Sequence, residues 1–126
     1  MNNNFSSLIS YLLHSRSQAH VFHLQVTGAG SYAAHKALND YYDSIVDLID
    51  GLVESYQGKY GIITNYSNYN LMSFTGMQQV VEYFTALNKT IEKLRVLETQ
   101  DSEIQNDIDT VVTLVNSTIY KLKYLS

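Results

Sequence analysis

Residues 19–55 read AHVFHLQVTGAGSYAAHKALNDYYDSIVDLIDGLVES, and two helical patterns meet in this stretch. Upstream of Gly28, the residues Phe5, Leu8, Ile9, Leu12, Leu13, Ala19, Phe22, His23 and Val26 recur at steps of three and four. That is the period of an amphipathic helix, and glycine ends it. Downstream of Gly30, Ser31 has the character of an N-cap. Leu38, Tyr42, Ile45, Ile49, Leu52 and Tyr56 then keep a helical rhythm up to Gly58, a candidate C′ residue. A turn as short as Gly28-Ala29-Gly30 makes the two helices antiparallel neighbours.

Working outward from this hairpin, residues 58–75 (GKYGIITNYSNYNLMSFT) have no clean period and are rich in Asn, Tyr and Gly. They read as a long crossover loop. Thr75 with Gln78 has the form of a capping box, and Met77, Val81, Phe84, Leu87, Ile91 and Leu94 mark a third helix. The polar break ETQDS leads to a second capping-box pair, Ser102 with Gln105. A fourth helix follows through Ile104, Ile108, Val111, Val115, Ile119, Leu122 and Leu125. Short, long and short connections predict an all-α, ferritin-like four-helix bundle in which helices two and three run parallel. The whole of residues 1–126 forms one domain on this reading, and a plain up-down bundle is the rival.

Composition narrows the chemistry. The chain has 126 residues, 45% of them hydrophobic, which suffices for one core without staples. Without cysteine there is no disulfide and no thiolate chemistry; without proline the helices run uninterrupted. A net charge of -4 argues against broad binding to DNA or to anionic membrane. The start MNNNFSSLISYLLHSRS has neither a basic region nor a long apolar run, and no stretch is long enough to span a bilayer. An intracellular, cytoplasmic protein is the expectation.

Di-iron bundles take Glu-x-x-His motifs from two helices. None of Glu54, Glu82, Glu92, Glu98 and Glu103 has a histidine three residues on, so a di-metal site within one bundle is not expected. Another constellation is available in His23, His35, Asp50 and Glu54. Imidazoles with carboxylates suit iron, manganese or zinc. His35 and Asp50 are fifteen residues apart on one helix, roughly 22 Å at the usual rise, too far to hold one ion. If both are ligands, a second copy must lie antiparallel and bring its acids to the first copy's histidines. The two-fold axis then generates two equivalent sites in a homodimer.

In this segment, His23 to Glu54, the chain resembles the mini-ferritins, the starvation-induced, DNA-protecting relatives of ferritin. Their pattern is a histidine late in helix one, another twelve residues on, an acid four later, and an Asp-x-x-x-Glu pair farther along helix two. His23, His35, Asp50 and Glu54 match in identity and spacing, while Asn39 stands where the first acid belongs. Leu24 replaces the tryptophan common after the first histidine, and the N-terminus lacks the lysines many members use on DNA. The resemblance implies a homo-oligomer that binds iron at interface sites and oxidises it with peroxide or oxygen. It implies a metal set of His23, His35, Asp50 and Glu54, with Asn39 in the fifth place.

Plainer readings accompany each residue. A histidine on an apolar stripe also serves as a packing or interface residue, and acids four apart also make an ordinary solvated helix face. The alternative function is therefore a non-catalytic homo-oligomeric bundle, a structural or interaction protein without a working metal site. His14 and His20 have no partner set, so packing or surface roles are expected. The eleven tyrosines read as amphipathic packing residues, and for Tyr41 and Tyr42 packing comes well ahead of a redox role near a metal. Lys121 and Lys123 complement the dipole of the last helix.

Overall fold

The computed structural model of the protein describes residues 3–125 and is all-helical there, with no strand. Four helices account for it: α1 (Asn3–Gln25), α2 (Ser31–Tyr60), α3 (Met77–Arg95) and α4 (Ser102–Tyr124). Each presents one apolar stripe to a common core. The stripes are carried by Phe5, Leu8, Leu12, Ala19 and Phe22 on α1 and by Leu38, Tyr41, Ile45, Ile49 and Leu52 on α2. On α3 they are Val80, Phe84, Leu87 and Ile91, and on α4 Ile104, Ile108, Val111, Val115 and Leu122. Burying stripes of this size, at about 25 cal/mol per Å² of apolar surface, drives the association of the helices.

Contacts between helix ends give the directions. Lys59, at the end of α2, pairs with Asp101 (3.0 Å) and Glu103 (3.4 Å) at the start of α4. Arg95, at the end of α3, reaches Asp109 of α4 at 2.7 Å. Both α2 and α3 therefore run antiparallel to α4, and hence parallel to each other. α1 lies against α2 and α3.

Residues 61–76, which join α2 to α3, carry no helix and return along α1. Their backbone is held by polar side chains of that helix. Ser67 N–H donates to Ser10 Oγ (2.9 Å), Asn70 C=O accepts from His14 Nε2–H (3.0 Å), and Phe74 N–H donates to Gln25 Oε1 (2.7 Å). Gln18, fully buried, makes two bonds to Met72, one to its carbonyl (2.8 Å) and one from its N–H (2.7 Å). A chain segment without secondary structure must place its backbone groups somewhere. Here α1 supplies the partners.

Several local expectations shift by a residue or a few. Gly30, in the left-handed region at φ 74°, is the N-cap of α2, so Ser31 is the first helical residue and not the cap. Gly58 does not end α2. The helix continues through Lys59 and Tyr60, tied to the start of α4, and Gly61 (φ 96°) closes it with an N–H to Gln57 C=O bond of 2.9 Å. The connection is thus 61–76, not 58–75. Neither capping box forms. Thr75 N–H bonds Gln79, not Gln78, and Gln105 turns back to the carbonyls of Arg95 and Thr99. On α2 the core position is Tyr41, its hydroxyl satisfied by Ser15 Oγ at 2.7 Å, while Tyr42 is half-buried toward α1.

Candidate metal centre

His23 lies in the last turn of α1 and His35 in the second turn of α2, and the Gly28–Gly30 turn folds them onto each other. Their rings stack with centroids 3.7 Å apart and planes 20° from parallel. His23 Nδ1 bonds the backbone oxygen of His35 at 2.8 Å, and His35 Nδ1 bonds that of His23 at 2.9 Å. A carbonyl oxygen only accepts, so both Nδ1 atoms carry the proton, and in the neutral rings both Nε2 atoms keep a lone pair. Anchoring one imidazole nitrogen on a backbone carbonyl is the usual way to present the other to a metal.

Two more rings complete the cluster. His20, three residues before His23, has its ring centre 6.0 Å from that of His23. Tyr42 stacks on His20 at 4.4 Å and sets its edge against His23 at 5.3 Å. Its hydroxyl donates to Asn39 Oδ1 at 2.7 Å, and Asn39 Nδ2 donates to Asp43 Oδ2 at 3.1 Å. Asn39 is therefore engaged at both ends of its amide. It serves as an anchor for Tyr42 and Asp43, and one lone pair of its oxygen is already taken by the Tyr42 hydroxyl.

Asp50 and Glu54 stand at the other end of the same seam. Both are exposed, and they border a cleft of about 180 Å³ lined by Ile9 and Leu13 of α1, Ile49 and Val53 of α2, and Tyr66. The structure thus brings His23 to His35 and Asp50 to Glu54, and it does not bring the two pairs together within one chain. Among the described residues, no group of three His, Cys, Asp or Glu side chains surrounds a point where one cation would sit. The donors fit a divalent cation only in halves: nitrogen at one end of the seam, carboxylate oxygen at the other.

Residues 23–122 match a family described as a family of unknown function (DUF5856). The chain belongs to this family. The matched segment begins at His23 and takes in His35, Asn39, Asp50 and Glu54 together with all of α2, α3 and most of α4; His20 lies outside it. No curated protein and no solved structure matches the chain.

Tyr41 is fully buried, and burial holds its phenol far above the usual range, so it stays protonated in the core. His14 has both nitrogens occupied, Nε2–H by Asn70 C=O and Nδ1 by the Tyr83 hydroxyl (2.8 Å). Glu98, in the α3–α4 connection, is buried and its carboxyl is pushed up to about 7 by that burial. Nothing in the sequence marks Glu98 as different from the other acids of that polar break. For His20 there is a signal, the His-x-x-His spacing that puts two imidazoles on one helical face.

Proposed function

We propose that the protein is a mini-ferritin-like, iron-binding homodimer or larger homo-oligomer with a ferritin-like fold, in which residues 61–76 are the long crossover. The observation that carries the reading is the polarity of the α1–α2 seam. Two imidazoles with fixed tautomers lie at one end, and an exposed i, i+4 acid pair lies at the other. Two copies packed antiparallel along this seam would place His23 and His35 of one against Asp50 and Glu54 of the other, twice. Exposed Leu13 (43%) and Leu24 (70%) on α1 supply apolar surface of the kind such a contact covers. Imidazole and carboxylate together form a set that holds ferrous iron and stabilises the ferric product, which is the chemistry of a ferroxidase. Manganese would suit the same donors.

The test is ferrous oxidation by the metal-free protein with stoichiometric peroxide, followed by ferric absorbance. His35→Ala and the double variant Asp50→Ala/Glu54→Ala should each drop to the protein-free rate. Mixing the two defective proteins should restore part of the activity, because a mixed dimer keeps one intact site. Activity retained in either parent, or no recovery on mixing, would sink the shared site.

A second reading, a non-catalytic homo-oligomeric bundle, is favoured by one observation. The mutual stacking and hydrogen bonding of His23 and His35 also make a good mechanical clasp between α1 and α2. In that case His35→Ala weakens the fold or the oligomer and wild type oxidises iron no faster than buffer.

A further inference from the structure

We infer that His20 and His23 chelate a borderline divalent cation, Zn(II), Ni(II) or Cu(II), on a single chain. This site goes beyond the shared-site reading: it needs no second subunit and no carboxylate, and the two have only His23 in common.

The geometry selects this pair over the more obvious one. Two imidazoles on one tetrahedral zinc, each with Zn–N of about 2.1 Å, have ring centres roughly 5–6 Å apart. His20 and His23, at 6.0 Å with planes inclined by 58°, stand at that spacing. His23 and His35, face to face at 3.7 Å, would have to unstack before both could reach one ion, as the shared site requires of them when two copies pack; His20 and His23 need no such change.

Nitrogen availability agrees. His23 has one ring nitrogen tied to the backbone and the other free. His20 is exposed and makes no hydrogen bond among the described residues, so its ring has no structural duty beyond the stack on Tyr42. Tyr42 touches both rings and is itself tethered through Asn39, which orders the pair before any ion arrives. A ligand pair held in place by outer contacts loses less freedom on binding.

The donor set decides the class of cation. Neutral imidazoles suit copper, nickel and zinc, and the stability order of the first-row divalent ions puts manganese and ferrous iron below all three. Water completes the coordination sphere. The chain thus carries, beside its proposed iron seam, a nitrogen pair that discriminates against iron.

Calorimetric titration of the metal-free protein with ZnCl2 tests the assignment. Wild type should bind one zinc per chain, and His20→Ala should weaken it by at least tenfold, with an unchanged circular dichroism spectrum because His20 is exposed. The double variant Asp50→Asn/Glu54→Gln should bind zinc like wild type, although it lacks the acids that iron oxidation requires. Zinc affinity unchanged in His20→Ala, no zinc bound by wild type, or an equal loss in the acid variant would each overturn the inference. The last of these would assign zinc to the shared site instead, and that site stands or falls on the iron-oxidation test of its own variants.

Discussion

The two sides of α1 use the same kinds of polar residue to opposite ends. Toward residues 61–76, Ser10, His14, Gln18 and Gln25 spend their hydrogen bonds on a backbone that has no helix or strand of its own. Toward α2, His20 and His23 keep ring nitrogens that no neighbour uses. The difference separates a structural histidine from an available one better than burial or sequence position does. His14 and His20 are six residues apart on one helix, yet His14 has both nitrogens engaged and His20 has neither. A polar side chain whose bonding capacity is exhausted holds the fold, and one with capacity left over is where a ligand can enter.

The comparison breaks most readily at Gln18. Replacing it with leucine removes both bonds to the backbone of Met72, each worth about 0.5–1.5 kcal/mol net. Urea unfolding should show a loss of about 1–3 kcal/mol. Zinc and iron behaviour of the folded fraction should stay at wild-type levels. A variant with unchanged stability but altered metal binding would reverse the assignment of the two sides.

Glu98 extends the contrast to the acids. Its carboxyl is buried and titrates at about 7, against an ordinary 4.5. Between those values the unfolded chain has released the proton and the folded chain still holds it, so stability falls as pH rises from about 4.5 to 7 and is level above. The full effect is at most about 3 kcal/mol. Glu98→Gln should match wild type at pH 4 and exceed it by about 2–3 kcal/mol at pH 8, as read from urea midpoints. Equal stabilities at pH 8 would show that the buried carboxyl is not opposing the fold. Asp50 and Glu54, both exposed, should show no such gain when neutralised.

His35→Ala sits between the two classes. It removes a ring stack and one hydrogen bond on an exposed surface, each worth about 1 kcal/mol or less, so the monomer should lose about 1 kcal/mol. Iron oxidation should fall to the blank. If stability falls by 3 kcal/mol or more and sedimentation shows the oligomer dispersing, the pair is a clasp first, and the structural reading gains.

The helical layout was legible from residues alone because apolar side chains at three- and four-residue steps have one good solution, a buried stripe. Phe84, Leu87, Ile91, Ile104, Ile108, Val111 and Val115 all lie where their spacing puts them. Boundaries were less legible, for a tertiary reason. Lys59 and Tyr60 find Asp101 and Thr99 across the bundle, and that contact carries α2 past a glycine that local propensity would have made its end. Tyr41 and Tyr42 show the limit of periodicity: adjacent identical residues, one in the core and one on the seam, are told apart by Ser15, which only the fold brings to the Tyr41 hydroxyl. At the candidate site, the spacing of His23, His35, Asp50 and Glu54 was readable. The stacking of two histidines and the enlistment of His20 by Tyr42 depend on how the Gly28–Gly30 turn closes.

Asn39 is the smallest lever and the most informative one. It stands where the mini-ferritin pattern has an acid, and its amide both accepts from Tyr42 and donates to Asp43. In Asn39→Asp the acceptor for Tyr42 survives, but the donor to Asp43 becomes a second carboxylate four residues away on the same exposed helix face. Like charges at that spacing cost about 0.2–0.5 kcal/mol, so the thermal midpoint should drop by a degree or two. The added negative charge beside the histidines should at the same time speed ferrous oxidation. A faster rate with this slight destabilisation would mean that asparagine trades iron turnover for a tethered Tyr42. An unchanged rate would place position 39 outside the iron chemistry and leave it solely an anchor for the aromatic cluster.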